Sequence, residues 1–272
     1  MRNISMDFAI VLLLGVGLTS CGSTPTQNAQ QQIMQPDHEA PLASRLDRNL
    51  MRVFGEWKDT PAERIPNAMI NRIAEADSES AKELKGAHIR LLATATPYLA
   101  PGLGKAVYIS RGALSAVLYE NELAFLLAAQ LACVRDHVTA HNLANLEGLP
   151  GTPASLPRNY LESGWFDAGG LFDFGSFTYL KAEQEGVKLM YAAKYDPRGA
   201  VTLVQRWTTP PFEVQMRALG KILPDSDERL VSAREEVAKL SPVRNPIVKS
   251  PAFEELQSRL VFKKAKTRKK SI

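Results

Sequence analysis

Apolar residues recur at three- and four-residue steps along most of this chain, and that spacing predicts amphipathic helices. Leu46, Leu50 and Val53 share one face of a first helix, and Pro61 opens a second, at a position where proline fits helical geometry. A long helical segment is predicted from residue 113 to His141, with a break or first turn at residues 121–122. Four more helices are predicted over residues 177–194, 198–206, 226–239 and 251–262.

Two apolar stretches ahead of the long helical segment are short enough to be strands. They cover residues 89–93 and Ala106–Ser110. Residues 97–104 between them are rich in proline and glycine, which predicts a turn. The sequence therefore predicts a short hairpin or small sheet ahead of the main helix, in a fold that is α+β and mainly helical.

The N-terminus has the pattern of an export signal. Residues 8–18 form an apolar run that is too short to cross a hydrocarbon core of ~30 Å as a helix, so residues 1–20 are predicted to be a signal peptide. Leu18-Thr19-Ser20-Cys21 resembles a bacterial lipobox, which implies cleavage after Ser20 and acylation of Cys21. Because Gly22 rather than aspartate follows, the resemblance implies a lipid anchor in the outer membrane and a domain in the periplasm.

The rest of the chain is expected to divide into three parts. Residues 21–44 are rich in Ser, Thr, Gln, Asn and Pro and are predicted to be a flexible tether. Residues 45–262 are enough for one domain with a sizeable core or for two small ones, and they are taken as one domain. Residues 263–272 hold six lysines and arginines, more than the whole net charge of +4, and form a basic tail. Such a tail either binds anionic lipid headgroups or is a solvated end, and nucleic acid is not an expected partner outside the cytoplasm.

Cysteine usage excludes a disulfide framework. The chain has two cysteines, and acylation would consume Cys21. Cys133 then has no internal partner, even in an oxidising compartment. Its place inside a predicted apolar helix indicates an inert core thiol rather than a nucleophile.

Several motifs in the second quarter of the chain occur in a familiar order. VYISRGAL at residues 107–114 is followed by NELA at 121–124 and by LLAAQLACV at 126–134. Further on come AEQEG at 182–186 and Tyr-Asp-Pro at 195–197. This order resembles the HtpX- and BepA-like gluzincin metallopeptidases, the family of the CAAX prenyl endopeptidases. The resemblance implies a zincin-like metallopeptidase fold in which the strand and small sheet precede the active-site helix.

The residues that perform the chemistry in that family are replaced here. Family members carry His-Glu-x-x-His on the active-site helix, where two histidines four residues apart bind one zinc and the glutamate activates its water. By the resemblance, the first histidine falls on Ala129, the general base on Gln130 and the second histidine on Cys133. The third ligand, a glutamate, falls on Tyr179, and the aspartate that supports the ligands falls on Glu183.

These replacements predict a domain without zinc and without the family's catalysis. Alanine has no lone pair, glutamine cannot take a proton at neutral pH, and tyrosine would need to ionise. Only Cys133 could bind a metal, and one ligand does not make a site. The leading hypothesis is a non-catalytic envelope lipoprotein that binds envelope or outer-membrane proteins, as a chaperone-like or regulatory component of protein quality control. It could hold an extended peptide by strand addition, which needs no zinc.

Two alternatives stay open. His137 and His141 stand four residues apart on the predicted long helix, with Glu183 or Glu185 as a possible carboxylate ligand, so an active zinc metalloendopeptidase with relocated ligands is conceivable. However, Val138 occupies the place of its general base. The other alternative is a structural envelope lipoprotein whose basic tail binds membrane or cell-wall polymer.

Overall fold

The structure is a computed structural model that describes residues 36–147, 172, 174–208 and 225–260. The predicted signal peptide with Cys21, most of the tether and the basic tail at 263–272 lie outside these residues. No helix within the described ranges is long and apolar enough to span a bilayer.

Three helices come first within the described residues. α1 (Pro36–Phe54) begins inside the range predicted to be tether, and its Glu39 accepts a hydrogen bond from the Gly104 N–H at 2.8 Å. The first residues of this helix are polar residues and prolines, so the spacing of apolar residues did not predict a helix there. α2 (Thr60–Glu75) starts where predicted, because Asp59 accepts from the Ala62 N–H as an N-cap. α3 (Ser78–Leu84) was not predicted.

A three-stranded mixed sheet follows, with strand order β1-β3-β2. β1 (His88–Leu92) runs parallel to β3 (Ala106–Ser110), and β2 (Leu99–Pro101) runs antiparallel to β3. The expectation that residues 97–104 are only a turn was therefore wrong. β2 has only three residues and ends on a proline, so its sequence resembles that of a turn. Proline lacks an N–H, but an edge strand such as β2 tolerates it.

The chain passes from the sheet into the central helices. α4 (Arg111–Ser115) follows β3 directly, capped by the Ser110 hydroxyl, which accepts from the Ala113 N–H. α5 (Glu120–Arg135) is buried at every residue except Arg135. The predicted continuation to His141 was wrong, because His137 has a left-handed φ of 50° and α6 (Val138–Glu147) starts after it.

Four further helices are described after α6: α7 (Ser176–Ala192), α8 (Arg198–Trp207), α9 (Ser226–Ala238) and α10 (Pro251–Leu260). α5 packs against α2, α7 and α8, and α9 packs against α7 and α8. The two helices α5 and α7 cross closely at Gly186, where an added Cβ would lie 2.8 Å from the Ala129 nitrogen. The prediction of a mainly helical α+β protein with a small sheet is confirmed.

Candidate functional site

The closely packed helices α5 and α7 enclose a cavity of about 30 Å³, which we call the α5–α7 cavity. Four of the five positions singled out by the motif comparison line it: Ala129, Gln130, Tyr179 and Glu183. The other lining residues are Leu99, Phe125, Leu126, Ala182, Trp207 and Arg229. Tyr179 and Glu183 are four residues apart and so share one face of α7. Because α7 packs against α5, positions about fifty residues apart in sequence share one small volume.

Cys133, the fifth position, does not line that cavity. It lies one turn further along α5 and faces a smaller space, of about 20 Å³, together with Gly102, His137 and Thr139. Burial raises the pKa of its thiol to about 12, and the charges of Asp136 and Glu183 add to the effect. The thiol therefore stays protonated at neutral pH, and a protonated thiol is a poor nucleophile and a poor metal ligand.

Glu183 is held in a buried ion pair with Arg229 of α9. The guanidinium donates from Nη2 to Oε1 at 2.6 Å and from Nε to both carboxylate oxygens at 3.0 and 3.1 Å. Both side chains are almost fully buried. Both carboxylate oxygens of Glu183 therefore already accept hydrogen bonds from Arg229, and the guanidinium balances their negative charge.

Tyr179 and Gln130 complete the polar lining. The Tyr179 hydroxyl donates to the Phe172 carbonyl at 2.8 Å, and its ring packs against Phe174 with centroids 5.4 Å apart. Gln130 is buried, and its Oε1 has no hydrogen-bond partner within the described part of the chain. The cavity has room for about two water molecules, which could serve that oxygen. The donor set does not fit zinc, because Ala129 offers no ligand atom and Glu183 is already paired.

The alternative pair of histidines does not lie on one helix. His137 sits at the junction of α5 and α6, and His141 is in the first turn of α6, where its N–H donates to the His137 carbonyl at 3.0 Å. Burial, followed by the charge of His137, lowers the pKa of His141, while Asp136 opposes this. Glu185, the other carboxylate considered, pairs with Lys188 at 2.7 Å.

In the described ranges no cluster of three or more His, Cys, Asp or Glu side chains is arranged to hold a metal ion.

The NELA motif has a structural role that the sequence did not reveal. Glu122 is fully buried and accepts from the Leu118 and Tyr119 N–H groups at 2.8 and 3.2 Å, which closes the N-terminus of α5. Arg206 of α8 donates to both carboxylate oxygens at 2.6 and 2.7 Å. Glu122 therefore joins the start of α5 to the end of α8.

The Tyr-Asp-Pro motif also supports the helix ends. The Asp196 carbonyl accepts from the Asn121 side chain at 3.1 Å, and the Asp196 carboxylate accepts from the Arg198 N–H at 3.0 Å. Hydrogen bonding from the Arg198 side chain lowers the pKa of Asp196. Gly199 then approaches Asn121 so closely that a Cβ there would lie 2.7 Å from its backbone.

No family model matches the chain, and no curated protein matches its sequence.

The resemblance therefore depends on the motifs themselves and on where the fold places them. Sequence reasoning missed three residues of this region, Arg206, Trp207 and Arg229. Arg206 and Arg229 pair with carboxylates 84 and 46 residues away, and no local pattern signals a pairing over that distance.

Proposed function

We propose that this chain is a zincin-like metallopeptidase domain of the HtpX and BepA type whose catalytic centre has become a packed protein interior. It works by binding, as a periplasmic lipoprotein anchored to the outer membrane through Cys21. One observation carries the proposal: Ala129, Gln130, Tyr179 and Glu183 meet at the α5–α7 cavity. Two packed helices bring some facing residues together in any case, but a chance match of two motifs would not by itself place four of their five key positions around one 30 Å³ volume.

The order of elements supports the same proposal. A small sheet precedes the helix that carries Ala129 and Gln130, and a second helix brings Tyr179 and Glu183 to it. The family resemblance implies this arrangement for a helix with two ligands, a general base and a third ligand from the partner helix. Here the first ligand's place holds a methyl group, the general base's place an amide, and the third ligand's place a phenol engaged with Phe172. The second ligand's place, Cys133, faces a different space, and the place of the supporting aspartate holds a carboxylate paired with Arg229.

The edge of the sheet offers a place for a client peptide next to the cavity. Tyr98 and Ser110 are bonded to each other, so strand alternation turns the N–H and carbonyl of Leu99 away from β3. Leu99 also lines the cavity. Within the described residues the outward-facing edge of β2 is short, because Pro101 has no N–H and its carbonyl accepts from the Thr139 hydroxyl at 2.6 Å. Strand addition would therefore use one residue of β2, with client side chains supplying the remaining contacts.

Rebuilding the missing chemistry tests the proposed ancestry. The variant Ala129→His, Gln130→Glu, Cys133→His and Tyr179→Glu should bind one zinc ion per chain, measured by elemental analysis after dialysis. Tyr179→Glu also removes the aromatic ring, which makes room for the metal. The matched control omits Tyr179→Glu and should bind zinc more weakly, because it lacks the third protein ligand. A folded four-residue variant without zinc affinity would refute the zincin-like assignment.

The unaltered protein tests the loss of catalysis. It should bind no stoichiometric zinc and should not cleave unfolded outer-membrane proteins. Zinc that is bound in stoichiometric amounts, and lost on His137→Ala or His141→Ala, would refute the loss of the metal, and cleavage that is lost with it would establish an enzyme with relocated ligands.

Binding at the sheet edge has its own variant. Leu99→Pro removes the outward N–H without removing a bond to β3, so it should weaken peptide binding measured by fluorescence anisotropy. Leu99→Ala retains that N–H and separates the backbone effect from the side-chain effect. Equal affinities for the two variants would exclude β2 as the peptide site.

A further inference from the structure

The outer side of α1 carries a row of arginines. Arg45, Arg48 and Arg52 follow one another at steps of three and four residues, so they lie on the same side of the helix. Leu46 and Leu50, on the opposite side, are fully buried. Arg48 and Arg52 are exposed, and Arg45 is partly exposed. This row, which we call the arginine face, therefore points away from the rest of the domain.

Little negative charge opposes the arginine face. Asp47 of α1 is paired with Arg90 of β1 at 2.7 Å, on the side of the helix that meets the sheet. Neither Arg45 nor Arg48 forms an ion pair within the described part of the chain. Glu63 of α2 lines a groove together with Arg48, so it offsets one of these charges at most. The arginine face therefore carries positive charge that the described residues leave unbalanced.

The chemistry of this face suits phosphate groups spread over a surface. Guanidinium groups favour phosphate oxygens, because their planar N–H groups donate two parallel hydrogen bonds to such an anion. A row along a helix does not converge on one point, as the ligands of a single small anion would. It matches an extended anionic surface, such as a bilayer with anionic phospholipids.

The place of α1 in the chain favours a bilayer over other anionic surfaces. Residues 22–35 separate α1 from Cys21, and a chain of that length spans at most about 50 Å. A lipid anchor at Cys21, which is part of the proposed function, would therefore keep α1 close to the membrane surface. Such confinement raises the effective concentration of headgroups near α1, so contacts that are weak on their own suffice to orient the domain.

We propose that the arginine face of α1 binds the anionic phospholipid surface of the bilayer that holds the lipid anchor, and thereby fixes the orientation of the domain. The sheet lies between α1 and α5, because Tyr108 packs with residues of α1 while its neighbours Val107 and Ile109 pack with residues of α5. When α1 lies on the bilayer, the α5 side of the sheet is turned away from the membrane. Client proteins then approach the α5–α7 cavity from the periplasm.

Vesicle binding by the chain from residue 21 onward tests the proposal, with Cys21→Ser so that no acyl group contributes. Co-sedimentation should show binding to vesicles of equal parts phosphatidylglycerol and phosphatidylcholine, and much weaker binding to phosphatidylcholine alone. Arg45→Gln together with Arg48→Gln should lower the affinity for the mixed vesicles by about twentyfold, because each cation near an anionic surface contributes about fivefold. Arg48→Gln alone should lower it by about fivefold. The basic tail at residues 263–272 is present in every variant, so it cannot account for these differences.

Lys181→Gln together with Arg234→Gln is the matched control. It removes two exposed positive charges from α7 and α9 and gives the same net charge, so it should lower the affinity by less than about threefold. Equal losses in the two double variants would show that net charge alone decides binding, and would overturn the proposal. Binding of the unaltered chain to neither kind of vesicle, or equally to both, would also overturn it.

These measurements involve no acyl group, zinc or client, so their failure would leave the proposed function standing. Acylation of Cys21 is measured separately, by mass spectrometry of the exported chain.

Discussion

Substitution of Arg229 by methionine tests the buried ion pair between Arg229 and Glu183 at the α5–α7 cavity. Methionine keeps an apolar stem of similar length but removes the guanidinium. Three donor–acceptor contacts with Glu183, at 2.6, 3.0 and 3.1 Å, are lost together. The Glu183 carboxylate then remains in the interior, next to the Tyr179 ring and the apolar lining, with no positive charge to balance it.

The expected cost follows from how deeply the pair is buried. The Arg229 side chain is 5% exposed and that of Glu183 is 11% exposed, so water does little to compensate either charge. Breaking such a pair from one side typically destabilises a protein by about 3–5 kcal/mol. Against a total unfolding free energy of roughly 5–15 kcal/mol, this is a large fraction. Removing both charges, with Glu183→Leu and Arg229→Met together, should cost about 1 kcal/mol or less, because no orphaned charge remains.

Urea unfolding monitored by circular dichroism measures these differences. Arg229→Met should lower the midpoint strongly, and the double variant should recover most of that loss. Arg234→Met on the same helix is the matched control, because Arg234 is exposed and should change stability by less than about 0.5 kcal/mol. If the double variant were as unstable as Arg229→Met alone, Glu183 and Arg229 would not act as a pair. The account of a neutralised, packed centre would then fail.

Three further substitutions test other parts of the fold. Glu122→Gln should cost about 3 kcal/mol in urea unfolding, since an amide cannot accept from Arg206 and two backbone N–H groups at once. Gly186→Ala should destabilise by about 1–3 kcal/mol despite the helix preference of alanine, because its Cβ would meet the Ala129 backbone, and a lowered melting temperature would report it. Cys133 should resist thiol reagents at pH 8 until the protein unfolds. Its thiol titrates near 9.0 when unfolded and near 12 when folded, so its contribution to stability is complete below pH 9. That contribution falls by about 1.4 kcal/mol per pH unit between about pH 9 and the folded pKa of about 12, and Cys133→Ala should flatten this part of the stability profile.

The helices of the C-terminal half were predictable because their ends carry local signals. Pro197 and Pro251 stand at helix starts and Asp225 caps α9, so the predicted starts at residues 198, 226 and 251 match the observed ones. The failures lie where tertiary contacts decide the structure. α1 extends back to Pro36 with Glu39 bonded to Gly104, and β2 is held as a strand by pairing with β3.

The site could be foreseen only in part, for a related reason. Motif order singled out Ala129, Gln130, Tyr179 and Glu183, and the fold brings these four to one cavity. The partner of Glu183 could not be foreseen, since nothing near Arg229 in the sequence distinguishes it from other helical arginines. Sequence spacing also gave His137 and His141 a shared helix face, which the left-handed backbone at His137 removes.

Under the proposed function, the motif residues that agree with the family differ in kind from those that depart from it. Glu122, Asn121 and Asp196 bond to helix ends in ways that need no metal, so they would keep their value in a domain without zinc. By contrast, a histidine at position 129 or a glutamate at position 179 would bring another polar group into a small buried cavity. Without a metal ion, that group would have no bonding partner there. Under the proposed function, the first group should persist and the second should be replaced by residues that pack. A small alanine against Gly186 and an aromatic ring against Phe174 fit that expectation.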